Sequence, residues 1–219
     1  AFQIPTVIWR KKFLKKARIK RESFKNLLVI GITGSYGKTS VKEFLYEILA
    51  EKLGKDKVLK TKEHQNSEVG IARCVLNELN PSHKIFIVEM GAYNRGGIKL
   101  LCDIVHPKIG VLTGINEQHM ATFGSLENII KAKYELIESL PRDGVAFFNA
   151  KNKYCVELYN ETLRLRSGRA VLYGSEAQFH GQENISGAQA VARELGILIE
   201  VKPQSNWMQI KKGVNGLNI

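Results

Sequence analysis

The chain has 219 residues, 44% of them hydrophobic and 25% charged, a globular balance that excludes a disordered or fibrous polypeptide and suits one domain with appendages. Its formal charge of +12 is unevenly spread: Arg10, Lys11, Lys12, Lys15, Lys16, Arg18, Lys20, Arg21 and Lys25 face only Glu22 within residues 10–25, so the remainder is mildly basic. Cys74, Cys102 and Cys155 lack CxxC spacing, which argues against a zinc ribbon or disulfide framework, and no stretch approaches the ~18 uninterrupted apolar residues of a membrane span.

In chain order, residues 1–26 read as a basic amphipathic linker helix, because Trp9, Phe13, Ala17 and Phe24 recur at roughly helical spacing within the basic run. Two readings stay open: residues 9–25 lie on an anionic membrane surface, or the apolar stripe packs on the domain. No nucleic-acid partner is expected, since no base-reading motif or aromatic-rich surface accompanies the charge.

Residues 27–203 then alternate short Val- and Ile-rich runs with helix-period segments, the pattern of a buried parallel sheet with crossover helices. The runs predict strands at 27–33, 58–61, 85–89, 109–113, 145–149 and 170–173, with helices at 38–53, 67–79, 97–105, 125–140 and 151–165. Further on, 184–195 reads as a helix and 197–201 as a strand, while 204–219 suggests a strand and turn where a further domain joins. The predicted class is α/β: a P-loop-type, mostly parallel sheet with helices on both faces and functional loops at the carboxyl ends of the strands.

The segment Gly31-Ile-Thr-Gly34-Ser35-Tyr36-Gly37-Lys38-Thr39-Ser40 follows an apolar strand and opens a helix. Glycines let backbone amides curl toward phosphate oxygens, and the helix amino terminus adds favourable potential. Gly34, Ser35, Gly37, Lys38, Thr39 and Ser40 are therefore candidate nucleotide-binding residues, with Lys38 on the β and γ phosphates and the Thr39 hydroxyl on Mg²⁺. The strict GxxxxGK[ST] pattern fails at one place, where Ile32 occupies the first glycine position.

A carboxylate at the end of a neighbouring buried strand can reach the metal beside such a loop. The run Lys84-Ile-Phe-Ile-Val-Glu89 supplies one, and makes Glu89 the leading Mg²⁺ ligand. The next strand ends in Thr113-Gly-Ile-Asn-Glu-Gln-His119, which brings His119 to the same sheet edge as a second candidate ligand. Taken alone, Lys131-Ala-Lys133-Tyr-Glu135 reads as a solvated charged helix face.

Together GITGSYGKTS, TKEHQNSEVG, IVEMGA, TGINEQHMATFGS and IKAKYELIE closely resemble the central ATPase domain of the Mur ligases, and within them the branch that joins D-Ala-D-Ala to a UDP-MurNAc-tripeptide. The match is strong over 27–150 and weaker over 180–219. The resemblance implies an ATP- and Mg²⁺-dependent acid:amino-acid ligase of peptidoglycan precursor synthesis, acting in the cytoplasm or at the inner face of the membrane. ATP would phosphorylate a substrate carboxylate, and an amine would attack the acyl phosphate. It further implies catalytic roles for Lys38, His119 and Lys133, metal binding by Thr39, Glu89, His119 and Lys133, a phosphate-side Asn66 and an adenine-side Asn184. Lys133 matches the family's carbamylated lysine, whose anionic carbamate ligates a second Mg²⁺ where an ammonium would repel it.

Departures from the family pattern leave alternatives open. Gly181-Gln182-Glu183-Asn184 has Glu183 where the family has His, and Trp207-Met208 replaces an Arg-Met pair. In 219 residues the family's amino-terminal sugar-binding and carboxyl-terminal domains find no counterpart, so nucleotide binding is expected here and completion of the reaction by this chain alone is not. The alternatives are a nucleotide-binding or regulatory module without ligase activity, and another ligase of the superfamily such as a folylpolyglutamate synthase.

Overall fold

The computed structural model describes residues 3–117, 120–165, 168–179 and 181–197. The elements are helix α1 (Gln3–Ser23), β1 (Leu28–Thr33), α2 (Lys38–Leu53), β2 (Val58–Lys60), α3 (Glu68–Asn77), β3 (Ile85–Glu89), α4 (Gly97–Val105), β4 (Ile109–Leu112), α5 (Met120–Phe123), α6 (Leu126–Glu138), β5 (Val145–Asn149), α7 (Lys153–Leu165), β6 (Arg169–Tyr173) and α8 (Gln182–Glu194). The strands form one six-stranded sheet in the order β2-β3-β1-β4-β5-β6, and every neighbouring pair is parallel. The six strands foreseen between residues 27 and 173 are present, four of them with one end shifted by one residue; at β1, Leu27 instead donates its amide to Phe24 O in the preceding turn.

Because the strands are central, their side chains feed cores on both sheet faces. Val29, Phe86, Val88 and Phe148 meet residues of α3, α4 and α6 on one side. Ile30, Ile32, Ile87, Val111 and Phe147 meet α2 and α8 on the other. Side-chain oxygens from the preceding loops start two of these helices: Ser67 accepts from the Gly70 amide at α3, and Ser125 from the Asn128 amide at α6, each cap stabilising by about 1 kcal/mol.

Helix α1 lies on α3 and α4, with Ala17 fully buried and Phe13, Leu14 and Phe24 packed on that core. Trp9 is not part of this inner stripe; it stacks on Phe13 at 5.0 Å and stays 57% exposed. Inward-pointing cations fix the helix. Lys20 Nζ donates to Leu76 O at 2.9 Å, Arg21 Nε to Val105 O at 2.8 Å, and Arg10 pairs with Glu68 at 2.7 Å. Leu76 and Val105 lie in the last turns of α3 and α4, where carbonyls lack helical partners and a positive charge is favoured. The expected strand at 197–201 and strand and turn at 204–219, including Trp207-Met208, lie outside the described residues apart from Ile197. Among the described residues, no helix is long and apolar enough to cross a membrane.

Candidate active site

The turn after β1 is held open by glycine geometry. Gly34 and Gly37 have φ of 152° and 79°, which L side chains rarely adopt, and a Cβ on Gly37 would stand 2.5 Å from Asn184 Oδ1. Ser35 donates its amide to Gly114 O at 2.7 Å, and the Ser35 hydroxyl accepts from the Asn116 amide at 3.3 Å, so the phosphate loop is tied to the loop after β4. Asn152 completes that brace: its amide group donates to Tyr36 Oη at 3.1 Å and Ile115 O at 2.8 Å, while its oxygen starts α7 at the Cys155 amide. Lys38 Nζ folds back onto Gly34 O and Ser35 O at 2.9 and 3.3 Å. Thr39 and Ser40 are exposed on the first turn of α2.

Glu89, at the end of β3, is the centre of a polar cluster. Its Oε2 accepts from Thr39 Oγ1 at 3.0 Å and Lys42 Nζ at 3.1 Å, and its Oε1 from Asn66 Nδ2 at 3.3 Å. Its backbone amide donates to Thr61 Oγ1 at 3.0 Å. Burial by itself pushes the Glu89 carboxyl up, but the charge and hydrogen bond of Lys42, with the bonds from Thr39 and Asn66, outweigh it and hold the group below the ordinary carboxylate range. The acid is thus ionised and aimed at the phosphate-loop threonine.

Lys131 is exposed and pairs with Glu127, whereas Lys133 and Glu135 are buried, so only part of that helix face is solvated. Lys133 Nζ reaches Ala92 O at 3.5 Å. Burial, and then the positive charge of Lys38, lower its ammonium pKa to about 8. Burial also lowers Lys38, opposed by Glu89. Two residues along, Glu135 accepts from the Gly96 amide at 2.5 Å and the Lys99 amide at 3.0 Å, capping α4. Lys133 and Glu135 therefore clamp the 90–96 loop from α6.

Of the residues singled out in the sequence, Thr39 and Asn66 both meet Glu89, and the charge of Lys38 bears on Lys133. His119 lies outside the described residues. Asn184 is buried beside Gly37, and its Oδ1 is a buried side-chain polar atom without a partner among the described residues, which costs about 1–3 kcal/mol. Glu183 is buried, with its carboxylate on the Gly181 amide at 2.7 Å, so at the family's histidine position it caps its own helix. Lys42, Thr61, Asn152 and Glu135 were not foreseen; only the i+4 relation of Lys42 to Lys38 hinted that both face one strand edge.

Residues 32–214 match the model of the Mur ligase middle domain. The chain belongs to that family. Among curated Mur ligase relatives, the UDP-N-acetylmuramoyl-tripeptide:D-alanyl-D-alanine ligase of Synechocystis sp. is 30% identical over 238 aligned residues, covering 98% of this chain and 46% of the relative. Among solved structures, MurF from Acinetobacter baumannii superposes with a TM-score of 0.78 at 24% identity, over 87% of this chain and 48% of that one. MurF from Thermotoga maritima in complex with ADP gives 0.74 at 25% identity, over 88% and 51%. The chain thus spans about half the length of these Mur ligases.

Proposed function

We propose that this chain is the nucleotide-binding domain of an ATP-dependent ligase that joins D-Ala-D-Ala to UDP-MurNAc-tripeptide through an acyl phosphate, in cytoplasmic peptidoglycan precursor synthesis. The observation that carries the reading is the Thr39–Glu89–Asn66 cluster beside a GKT loop, with Lys133 buried within reach of the Lys38 charge. The donor set suits Mg²⁺, which takes one or two protein oxygens and completes its shell with water and phosphate. Among the described residues no group of three His, Cys, Asp or Glu could hold a metal by itself. Thr39 and Glu89 would hold the ion, with His119 and Lys133 as further ligands in this reading, and the ion would supply neutralisation of phosphate charge.

The remaining work belongs to the chain's own groups. Backbone amides at Gly34 to Thr39 and the Lys38 ammonium orient the phosphates and stabilise charge that develops on them. Lys42 keeps Glu89 ionised. Burial of Lys133 raises its fraction of neutral amine, the form that reacts with CO₂, which supports the carbamate assignment. The orphaned Asn184 oxygen suits a hydrogen-bond donor such as the adenine amine.

Phosphate release is the test, measured with ATP and Mg²⁺ alone and again with UDP-MurNAc-tripeptide and D-Ala-D-Ala. Release dependent on both substrates supports the ligase reading. Magnesium-dependent ATP binding without such release favours a nucleotide-binding module, a second reading that draws on Glu183 at the family's histidine position. No ATP binding with Mg²⁺ would remove both.

A further inference from the structure

The basic residues of α1 divide into two sets. Arg10, Lys20 and Arg21 point to the domain and are bonded to Glu68, Leu76 O and Val105 O, and Arg18 pairs with Glu22 on the same helix. Lys11, Lys12, Lys15 and Lys16 are exposed and, among the described residues, make no ion pair. Helical spacing puts Ile8, Lys12, Lys15 and Ile19 in one line, at i, i+4, i+7 and i+11, with Lys11 and Lys16 on its flanks. Ile8 and Ile19 in that line are 50% and 57% exposed, beside Val7 and Trp9 at 49% and 57%.

We infer that this outer face of α1 docks the protein on an anionic lipid bilayer. A helix on such a surface places cations at headgroup phosphates and apolar side chains among the first acyl carbons, and this face carries both in one stripe. Lysine stems extend the apolar surface while their ammonium groups reach outward. The fit to lipid is better than to the two other occupants of a basic helix. Nucleic acid would leave Ile8, Ile19 and Trp9 against phosphate with nothing to bury them, and a second copy would set Lys12 and Lys15 against themselves.

The helix does not need to leave the domain to bind. Its inner face is already fixed on α3 and α4, so no ordering cost of folding on the membrane is added. Arg10 lies at the start of α3 and Lys20 at its end, so α1 runs alongside α3 with its Val7–Trp9 end toward the edge of the sheet that carries Asn66 and Glu89.

The test is co-sedimentation of the chain with vesicles of phosphatidylcholine alone or mixed with phosphatidylglycerol, at low and at molar salt. Four lysines near a negative leaflet strengthen binding up to several hundredfold, about a factor of five each. Partition into the anionic vesicles should exceed that into neutral ones at least tenfold and fall away at high salt. Reversing Lys11, Lys12, Lys15 and Lys16 to Glu should abolish it with the melting temperature and Mg²⁺–ATP binding unchanged. The pair Ile8→Ser and Ile19→Ser should weaken it severalfold while its salt dependence persists. Equal partition into both vesicles, retained binding by the lysine-reversed chain, displacement from vesicles by duplex DNA at equal phosphate, or lysine-dependent dimers without vesicles would each overturn the assignment.

Discussion

Replacing Lys133 by Met should make the nucleotide-free protein more stable, although it deletes a residue placed at the active site. Lys133 is 5% exposed, and burial together with Lys38 brings its pKa from 10.5 to about 8. Between those values the unfolded chain holds a proton that the folded protein has released. Stability contributed by this group therefore rises with pH through that window, and its full cost is present below pH 8. A shift of that size corresponds to about 3 kcal/mol at pH 7, falling to about 1 kcal/mol at pH 10. Met keeps the packing of the lysine stem and loses the 3.5 Å bond to Ala92 O and the ammonium's place over the Phe123 ring, 5.7 Å from its centroid, leaving a net gain of about 2 kcal/mol. Thermal unfolding in CO₂-free buffer is the assay, and for a domain of this size the gain is worth about 5–10 °C. A Lys133→Met variant no more stable than the wild type at pH 7, or one with the same advantage at pH 7 and pH 10, would refute the reasoning.

Lys42→Met should cost about 3–5 kcal/mol by urea unfolding, because it strands the buried Glu89 charge; adding Glu89→Gln should recover most of the loss, and additive costs would contradict the pairing. Gly37→Ala should weaken ATP binding at least tenfold in a calorimetric titration, since φ of 79° and the Asn184 oxygen both oppose a Cβ; wild-type affinity would show that the loop does not need this geometry.

The sheet was legible because strands buried on both faces read as unbroken Val and Ile runs such as Val29-Ile30 and Phe86-Ile87-Val88, and the glycines of the phosphate loop announce a backbone that other residues resist. What escaped depends on tertiary partners. Lys42 and Glu135 look like solvated charges on helices until Glu89 and the start of α4 are set against them. The cations of α1 read as a single run, although Lys20 and Arg21 are taken up by carbonyls of α3 and α4 that only packing brings near. Helix α5 spans only Met120–Phe123, too short to leave a periodic trace. Asn184 matched a family position, but its unpaired oxygen is a property of the packed site.

In the proposed function the phosphate loop, the end of β3 and α6 converge on one magnesium nucleotide. A crystal structure of the chain with Mg²⁺ and ADP tests this most directly. The phosphates are predicted on the Gly34–Thr39 amides, the metal between Thr39 and Glu89, and Lys133 facing the same space. Nucleotide bound elsewhere, or a metal with neither Thr39 nor Glu89 in reach, would contradict the account.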